Sequence, residues 1–574
     1  MKKELKGLLE AALRKSFENG TLPQIPLPDI VLEVPNNSDH GHFATNLPLI
    51  LASSLKKRPM DLAKAIVDHM GDYNRILERV DVAGPGFINF TVAREEWLRL
   101  LTRIVSGRYD YGRSRYGAEQ KIIVEFVSAN PTGPLHLGHG RGAALGDTLC
   151  RILAFTGHDV AREFYINDAG QQVRLLGESI YSRWRQMSDP GYPFPGDGYH
   201  GDYITDLAEE ISREIDLSSL KREEAIARCT DLGKQKMLEE IKRDLADFKV
   251  MFDVWFSESD LYASRGIEQA LDMIKEKGQI YEKEGALWIK TSIYGDDKDR
   301  VVRKTDGQYT YFASDISYHL DKWRRGFTKA VNIWGADHHG YVQRMKAALQ
   351  SNDLDAAWLS VLLIQLVKLW KRGQEIKMSK RAGRYVTLRE LIDEVGVDAA
   401  RFVFLTKNHD SPLDIDIDLV KRHDSDNPVY YVQYAHARIC SIFRKAASRG
   451  LTLSRMGAEE LEPLRLDEEM ALIRVMAEFP SLLEEISRKL EPHRLTYYLT
   501  DLASLFHKYF NLGTKEPDKR IVGDDRHRSQ ARLFLAEAVR IVLHNGLELL
   551  GIRLRPDIPA PMIIILLFSI LTAI

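Results

Sequence analysis

Two short runs in this chain bring together residue types suited to handling phosphate. The first is Asn130-Pro131-Thr132-Gly133-Pro134-Leu135-His136-Leu137-Gly138-His139. Its prolines and glycines hold a loop close to the segment that follows. That segment has apolar spacing at Ala144, Leu145, Leu149 and Leu153, the pattern of a helix. A helix N-terminus offers unpaired N–H groups and a partial positive charge, a natural seat for phosphate. His136 and His139, three apart with Gly138 between them, can both face that seat, and the glycine permits close approach. Imidazole donors placed there can stabilise charge developing on a phosphate under attack. Taken alone, the same run also reads as a loop with two capping histidines, because short motifs recur by chance.

The second run is Lys377-Met378-Ser379-Lys380, inside the polar stretch Gln374–Gly383. Lysines at both ends of a four-residue block, on a glycine-flanked loop, can close over a polyphosphate and neutralise it. By itself this is a solvated basic loop. Its weight comes from following the histidine pair at the distance of a whole α/β domain.

These runs need a scaffold. Ile122–Val127 is an apolar run that reads as a buried strand, so strand, Pro/Gly loop and helix succeed one another around the histidines, as at the start of a nucleotide-binding α/β unit. Strand-like stretches return at ALWIKTSI (286–293), VVRKTDGQYTYF (301–312) and AVNIWG (330–335). The simplest arrangement is one parallel sheet whose halves are separated by a helical, charged insertion at about 178–300. Before this unit, residues 1–111 open with a helix, continue with a helical pattern from Ala44 to His69, and close on a Gly84-Pro85-Gly86 turn followed by an alternating strand. After it, from 391 to 560, helical periodicity dominates. The expected fold class is therefore α/β: a Rossmann-type catalytic domain over 112–390 with an insertion, an N-terminal α+β additional domain, and a C-terminal all-α domain. The uncharged residues Met562–Ile574 fall short of the ~20 needed to span a membrane, so 561–574 is expected to be a dispensable tail, not an anchor.

Composition narrows the function classes. The 574 residues carry 80 Lys+Arg against 82 Asp+Glu, a formal net charge of -2, so an RNA partner would be held by local basic patches. Cys150, Cys229 and Cys440 form no CxxC pair, which argues against a disulfide framework or cysteine-based zinc site and favours a reducing compartment, the cytoplasm. His338-His339 lack carboxylate or cysteine companions at metal spacing, and no structural metal is expected.

Together, HLGH and KMSK resemble the two signatures of the class I aminoacyl-tRNA synthetases, the second letter for letter and the first with Leu137 where isoleucine is usual. The resemblance implies that ATP, as its Mg2+ complex, and an amino acid form an enzyme-bound aminoacyl-adenylate, which the terminal adenosine of a tRNA then attacks. No side chain is the nucleophile. The implied catalytic residues are His136, His139, Lys377 and Lys380; Gly133, Gly138, Met378 and Ser379 complete the implied ATP site.

Further stretches, VEFVSANPTGPLHLGHGR, FYINDAGQQ, YTYFASDI, WGADHHGYVQR and NPVYYVQYAHAR, look like the arginine enzymes in particular. A guanidinium calls for carboxylates and planar acceptors. By resemblance, Glu125 and Asn130 flank the first signature in the arginine site, with Glu125 placed to meet the α-amino group, and Tyr311 with Asp315, four apart and so on one face if helical, serve the guanidinium, with Asp337 a further candidate. Glu125 lies among apolar residues, where an unpaired carboxylate would cost several kcal/mol, so a cationic partner is expected. Asn167-Asp168-Ala169-Gly170 fits either a turn or a substrate-side loop. The resemblance makes the helical region an anticodon reader, with Tyr431, Tyr434 and Arg438 as contacts, although tyrosines at this spacing are as often core. It also gives the N-terminal unit a tRNA-elbow contact through Phe87 and Asn89. The implied partners are tRNA(Arg), L-arginine and ATP, with a monomeric enzyme whose activation step needs tRNA. A synthetase for another amino acid, a tRNA-binding paralogue without catalysis, and a general nucleotidyltransferase are the competing readings. For the first, the cysteine enzyme would want a zinc site and the aliphatic-specific ones long editing insertions, neither of which fits this chain; the second has no need of both signatures, and the third has no need of a long helical region.

Overall fold

The computed structural model describes residues 1–35, 37–73, 75–168, 170–376, 386–422 and 424–554. The KMSK residues and the apolar tail lie outside them. The chain divides into two compact units, each assembled from separated segments.

One unit gathers Met1–Gly112, Ala435–Leu482 and Asp501–Asn545. Its N-terminal part has three antiparallel strands, Phe43–Thr45, Leu77–Ala83 and Phe87–Val92, with the last in the middle. The hairpin turns at Gly84-Pro85-Gly86, as expected. Gly86 has φ +131°, and a Cβ there would come within 2.7 Å of Pro59, so both backbone and space demand glycine. The helix expected over 44–69 is instead a short strand and two helices, Leu47–Leu55 and Pro59–Asp68. Pro59 is the reason: it forces Arg58 out of the helical region to ψ 136° and then starts the next helix from its first turn. Deeper in this unit Glu469 is fully buried and accepts hydrogen bonds from Arg532 Nε (2.8 Å) and Tyr509 Oη (3.0 Å), so three C-terminal helices share one buried charge pair.

The other unit gathers Arg113–Tyr434, Leu483–Thr500 and the chain from Gly546 on. Its centre is a parallel sheet of β1 (Lys121–Glu125), β2 (Asp159–Ile166), β3 (Val254–Ser257), β4 (Lys329–Gly335) and β5 (Leu359–Ile364), in the order β5-β4-β1-β2-β3. Ile122, Ile123 and Val124 are buried, as a strand covered on both faces requires. Helix α1 (Leu137–Phe155) crosses from β1 to β2. It lies so close to the sheet that a Cβ on Gly146 would overlap the ring of Phe126 at 2.3 Å. The strand order reverses between β1 and β4, which opens a crevice beyond their carboxyl ends where doubly wound folds bind ligands. Helix α2 (Tyr311–Arg324) enters β4, and α3 (His339–Gln350) leaves it.

The stretch expected as one insertion is interrupted by β3, a strand of the main sheet. Helices Gln171–Ser188, Asp202–Glu214 and Arg222–Asp247 precede β3 and hold an apolar core of their own. After it, Ala286–Ile289 and Arg300–Arg303 join Ile280–Lys283 in a small antiparallel sheet and do not join the parallel one. Their connections explain this: Ile280–Lys283 and Ala286–Ile289 are separated by Glu284-Gly285 alone, enough for a hairpin but not for a parallel crossover. Among the described residues, no helix is long and apolar enough to cross a membrane.

Candidate active site

β1 ends in a strained turn. Val127 and Ser128 take φ +69° and +41°, a region that branched side chains rarely adopt, at a cost of order 1–3 kcal/mol per residue. Hydrogen bonds hold the turn: Ser128 Oγ donates to Glu125 Oε1 (3.0 Å) and accepts from the N–H of Tyr165 on β2 (3.2 Å). The loop then runs through Asn130, whose amide donates to Gln172 beyond β2, to the histidine pair.

His136 is the N-cap of α1. Its Nδ1 accepts from the N–H groups of Gly138 (3.1 Å) and His139 (3.3 Å), while His139 Nδ1 accepts from the N–H of His136 (3.3 Å). The two rings stack with centroids 3.7 Å apart and planes 14° apart. This reciprocal cap settles the tautomers. Both Nδ1 atoms act as acceptors, so in the neutral rings the proton sits on Nε2. The expectation of free helix N–H groups is corrected here: the N–H groups of Gly138 and His139 are already taken up by His136, and the remaining ring proton of each imidazole sits on Nε2. Gly138 is needed for this arrangement, since a Cβ there would meet His136 Cε1 at 3.0 Å.

Lys377, Met378, Ser379 and Lys380 lie outside the described residues, but both flanks of their segment are described. On one side Ile376 N–H donates to Leu369 O (2.9 Å). On the other, Leu388 N–H donates to Leu135 O (2.7 Å), Thr387 and Glu390 form a capping box, and Arg389 holds Asp244 (2.8 Å) and Asp247 (2.6 Å). The segment after KMSK is therefore pinned directly to the histidine loop.

Next to the carboxyl ends of β1 and β2 lies an acidic cluster. Tyr311 and Asp315 do stand one turn apart on α2, with Tyr311 65% exposed. Tyr341 Oη from α3 donates to Asp315 Oδ2. Burial, reinforced by the charges of Glu125 and Glu258, pushes the Asp315 carboxyl up to about 7. Glu258, at the start of the helix Glu258–Ala263 that follows β3, was not anticipated as a site residue. It is 2% exposed, and burial followed by the nearby Asp168 pushes it up to about 7. The hydroxyls of Ser314 and neighbouring Tyr165 hydrogen-bond to its carboxylate, which holds the shift below what burial alone would give.

Glu125 does have the cation its surroundings require, supplied by the chain. Lys322 Nζ of α2 lies 2.6 Å from Glu125 Oε2 and 3.2 Å from Asn332 Oδ1 on β4, over the Tyr318 ring. Asn332 in turn donates to His319 Nε2 (2.8 Å), whose Nδ1–H donates to Asp315 O (2.7 Å). Burial and then Lys322 lower His319 to about 3, so it stays neutral and holds this tautomer. Asp337 sits on an exposed turn after β4 with its carboxylate 84% exposed and 3.7 Å from His338.

The residues expected to meet RNA are differently placed. Phe87 is half-buried, but Asn89 is 5% exposed in the central strand of its sheet, where both faces are covered at Ile88, Asn89 and Phe90. Tyr434 stacks on Tyr430 with planes 7° apart, and both Tyr431 and Tyr434 are half-buried. Arg438 donates to His507 Nδ1 (2.8 Å) and covers the Phe510 ring.

A 3-2-1-4-5 parallel sheet with a histidine-capped helix at its switch point defines a class I aminoacyl-tRNA synthetase. Family models agree: "tRNA synthetases class I (R), catalytic domain" matches residues 101–423, "Arginyl tRNA synthetase N terminal domain" matches 3–92, and "DALR anticodon binding domain" matches 432–555. The chain belongs to the arginyl-tRNA synthetase family. It is 47% identical to the arginine–tRNA ligase of Desulfosudis oleivorans over 96% of this chain and 99% of that one. It is 46% identical to that of Syntrophotalea carbinolica, again over 96% and 99%. In fold it resembles Thermus thermophilus arginyl-tRNA synthetase, with a TM-score of 0.76 at 21% identity over 96% of this chain and 100% of that one.

Proposed function

We propose that the acidic cluster of Asp315 and Glu258 forms the pocket that receives the guanidinium of L-arginine during arginyl-tRNA synthesis. The observation that carries the reading is the pair of buried carboxyls, Asp315 and Glu258, each pushed up to about 7 by burial. Such a pair is unfavourable when empty and favourable around a cation. A planar guanidinium can satisfy both through charge-assisted hydrogen bonds, each worth ~1.5–3 kcal/mol. Tyr311 and Tyr341 close the sides. Glu125, at the end of β1 and paired with Lys322, serves the α-ammonium, and Asn130 in the loop beyond it completes the arginine site. Asp337, a further candidate for the guanidinium, stands on the exposed turn after β4.

ATP enters as its Mg2+ complex. The Nε2–H groups of His136 and His139 hydrogen-bond its phosphates, Gly133 and Gly138 allow its approach, and Lys377 and Lys380, with Met378 and Ser379 between them, complete the site. The arginine carboxylate attacks the α-phosphorus, diphosphate leaves, and arginyl-adenylate remains. A terminal hydroxyl of the tRNA adenosine then attacks the carbonyl carbon, passing the arginyl group to the tRNA and releasing AMP. The residues act by holding reactants in line and by stabilising charge on the phosphates. The helical region, with Tyr431, Tyr434 and Arg438, reads the anticodon stem-loop of tRNA(Arg); the N-terminal unit, with Phe87, touches its elbow. The enzyme acts as a monomer in the cytoplasm.

ATP–diphosphate exchange, run with each of the twenty amino acids with and without tRNA, tests the reading. Exchange with arginine alone, dependent on tRNA, is expected. Exchange with another amino acid would overturn the pocket assignment and keep the class.

A further inference from the structure

Asp168 belongs to a stretch that the sequence leaves between a turn and a substrate-side loop, and no step above uses it. Its carboxylate accepts hydrogen bonds from Ser257 Oγ (2.9 Å), Ser259 N–H (3.1 Å) and Ser259 Oγ (3.2 Å), and it lies 3.7 Å from Lys234 Nζ. The two serines bracket Glu258, so a residue after β2 fixes the start of the helix that carries a carboxyl of the pocket. Two positions on, a Cβ at Gly170 would come 3.3 Å from Tyr311 Oη. The chain at Asp168 and Gly170 thus contacts the start of the Glu258 helix and passes close to Tyr311.

We infer that Asp168 is a positioning residue that aims Glu258 at the guanidinium group and thereby sets how well arginine is selected; this rests on the pocket reading above. Asp168 does not reach the substrate itself. Capping supplies the geometry, because Ser259 N–H is a first-turn donor that a side-chain oxygen must satisfy if Glu258 is to hold its direction. Charge supplies a second effect. Asp168 is a like-charge neighbour that makes Glu258 harder to ionise. The groups facing Glu258 are Asp168 with Lys234 behind it, Tyr165 from β2, Ser314 and Asp315 from α2, and Tyr262 from its own helix. None of these that reaches Glu258 is a cation, so the incoming guanidinium is the charge that offsets it.

The experiment is steady-state aminoacylation by the full chain from pH 6 to 8.5, with Glu258→Gln, Asp168→Ala and Asp168→Asn, measuring KM for arginine, KM for ATP and kcat. Glu258→Gln and Asp168→Ala should each raise KM for arginine ~10-fold or more, with KM for ATP and kcat moved far less. Asp168→Asn keeps an acceptor oxygen but not the charge. It should raise KM less and shift the acid limb of the KM profile downward by ~0.5 pH unit. If Glu258→Gln raises KM for arginine while Asp168→Ala does not, this inference fails and the pocket reading stands. If Glu258→Gln leaves KM unchanged, the pocket reading itself fails. If Asp168→Ala folds poorly, the Asn variant decides. A lowered thermal midpoint with an unmoved acid limb makes Asp168 merely structural and overturns the inference.

Discussion

Lys322 Nζ and Glu125 Oε2 lie 2.6 Å apart in a place closed to water, the lysine side chain 0% and the glutamate side chain 6% exposed. Such a pair is weak as a source of stability but severe when broken, since a lone buried charge remains. Lys322→Met or Glu125→Gln alone should destabilise the fold by ~3–5 kcal/mol in urea unfolding, whereas the double variant should recover much of that loss. Additive losses would show that the pair is not coupled.

The histidine cap couples a structural and a chemical task. His136→Ala should cost ~1 kcal/mol of stability through the lost cap and ~10²–10³-fold in adenylate formation through the lost donor. Gly138→Ala is subtler. Its Cβ, 3.0 Å from His136 Cε1, must push the ring by a few tenths of an ångström. Exchange should slow by about an order of magnitude with the thermal midpoint nearly unmoved. An unchanged exchange rate in that variant would mean that ring placement does not matter.

Protons should leave when arginine binds. Asp315 and Glu258, ordinarily near 3.8 and 4.5, both stand at about 7 in the free chain, so each is about half protonated at neutral pH. A guanidinium favours the ionised forms and should expel roughly one proton in total near pH 7. Calorimetry in buffers of different ionisation enthalpy measures this directly. The sign for stability follows from the same shifts. Between about pH 4 and 7 the folded chain holds protons that the unfolded chain has lost, so the contribution of these two groups to stability falls as pH rises through that window. Stabilisation by added arginine should accordingly be largest above pH 7, and a thermal-shift series across pH checks it.

Lys377→Ala and Lys380→Ala should each lower the rate of diphosphate exchange by ~10²-fold with KM for arginine little changed, because their task is charge on the phosphates. A rise confined to KM for arginine would place those lysines elsewhere.

Much of the site can be read in the sequence where the signal is local. The apolar run of β1, the Pro/Gly loop and the periodicity of α1 lie within one continuous stretch, so the histidines could be placed on a helix start from spacing alone. Tyr311 and Asp315 carry their own helical spacing. Glu258 does not: in Ser257-Glu258-Ser259-Asp260 it looks like an ordinary acid in the first turn of a short helix, and only the return of β3 beside β2 buries it. Lys322 likewise precedes Arg324 and Arg325 and resembles one more solvated cation. Its burial depends on β1 and β4 being neighbours, a pairing between residues two hundred positions apart. The small antiparallel sheet was misassigned for a related reason, since alternation identifies a strand but not its partners.

The rings proposed to serve the phosphates also begin the helix that carries them, and that has a consequence for how the site can change. An alteration at either histidine touches the same two atoms from both directions, so the chain cannot trade a little activity for a little robustness at these positions. Replacements free to drift must keep an acceptor on the inner edge and a donor on the outer one. Among the side chains, asparagine and glutamine offer that polarity without a ring, and neither can reproduce the stack. The motif is therefore a closed pair, open to joint replacement but not to gradual substitution one residue at a time.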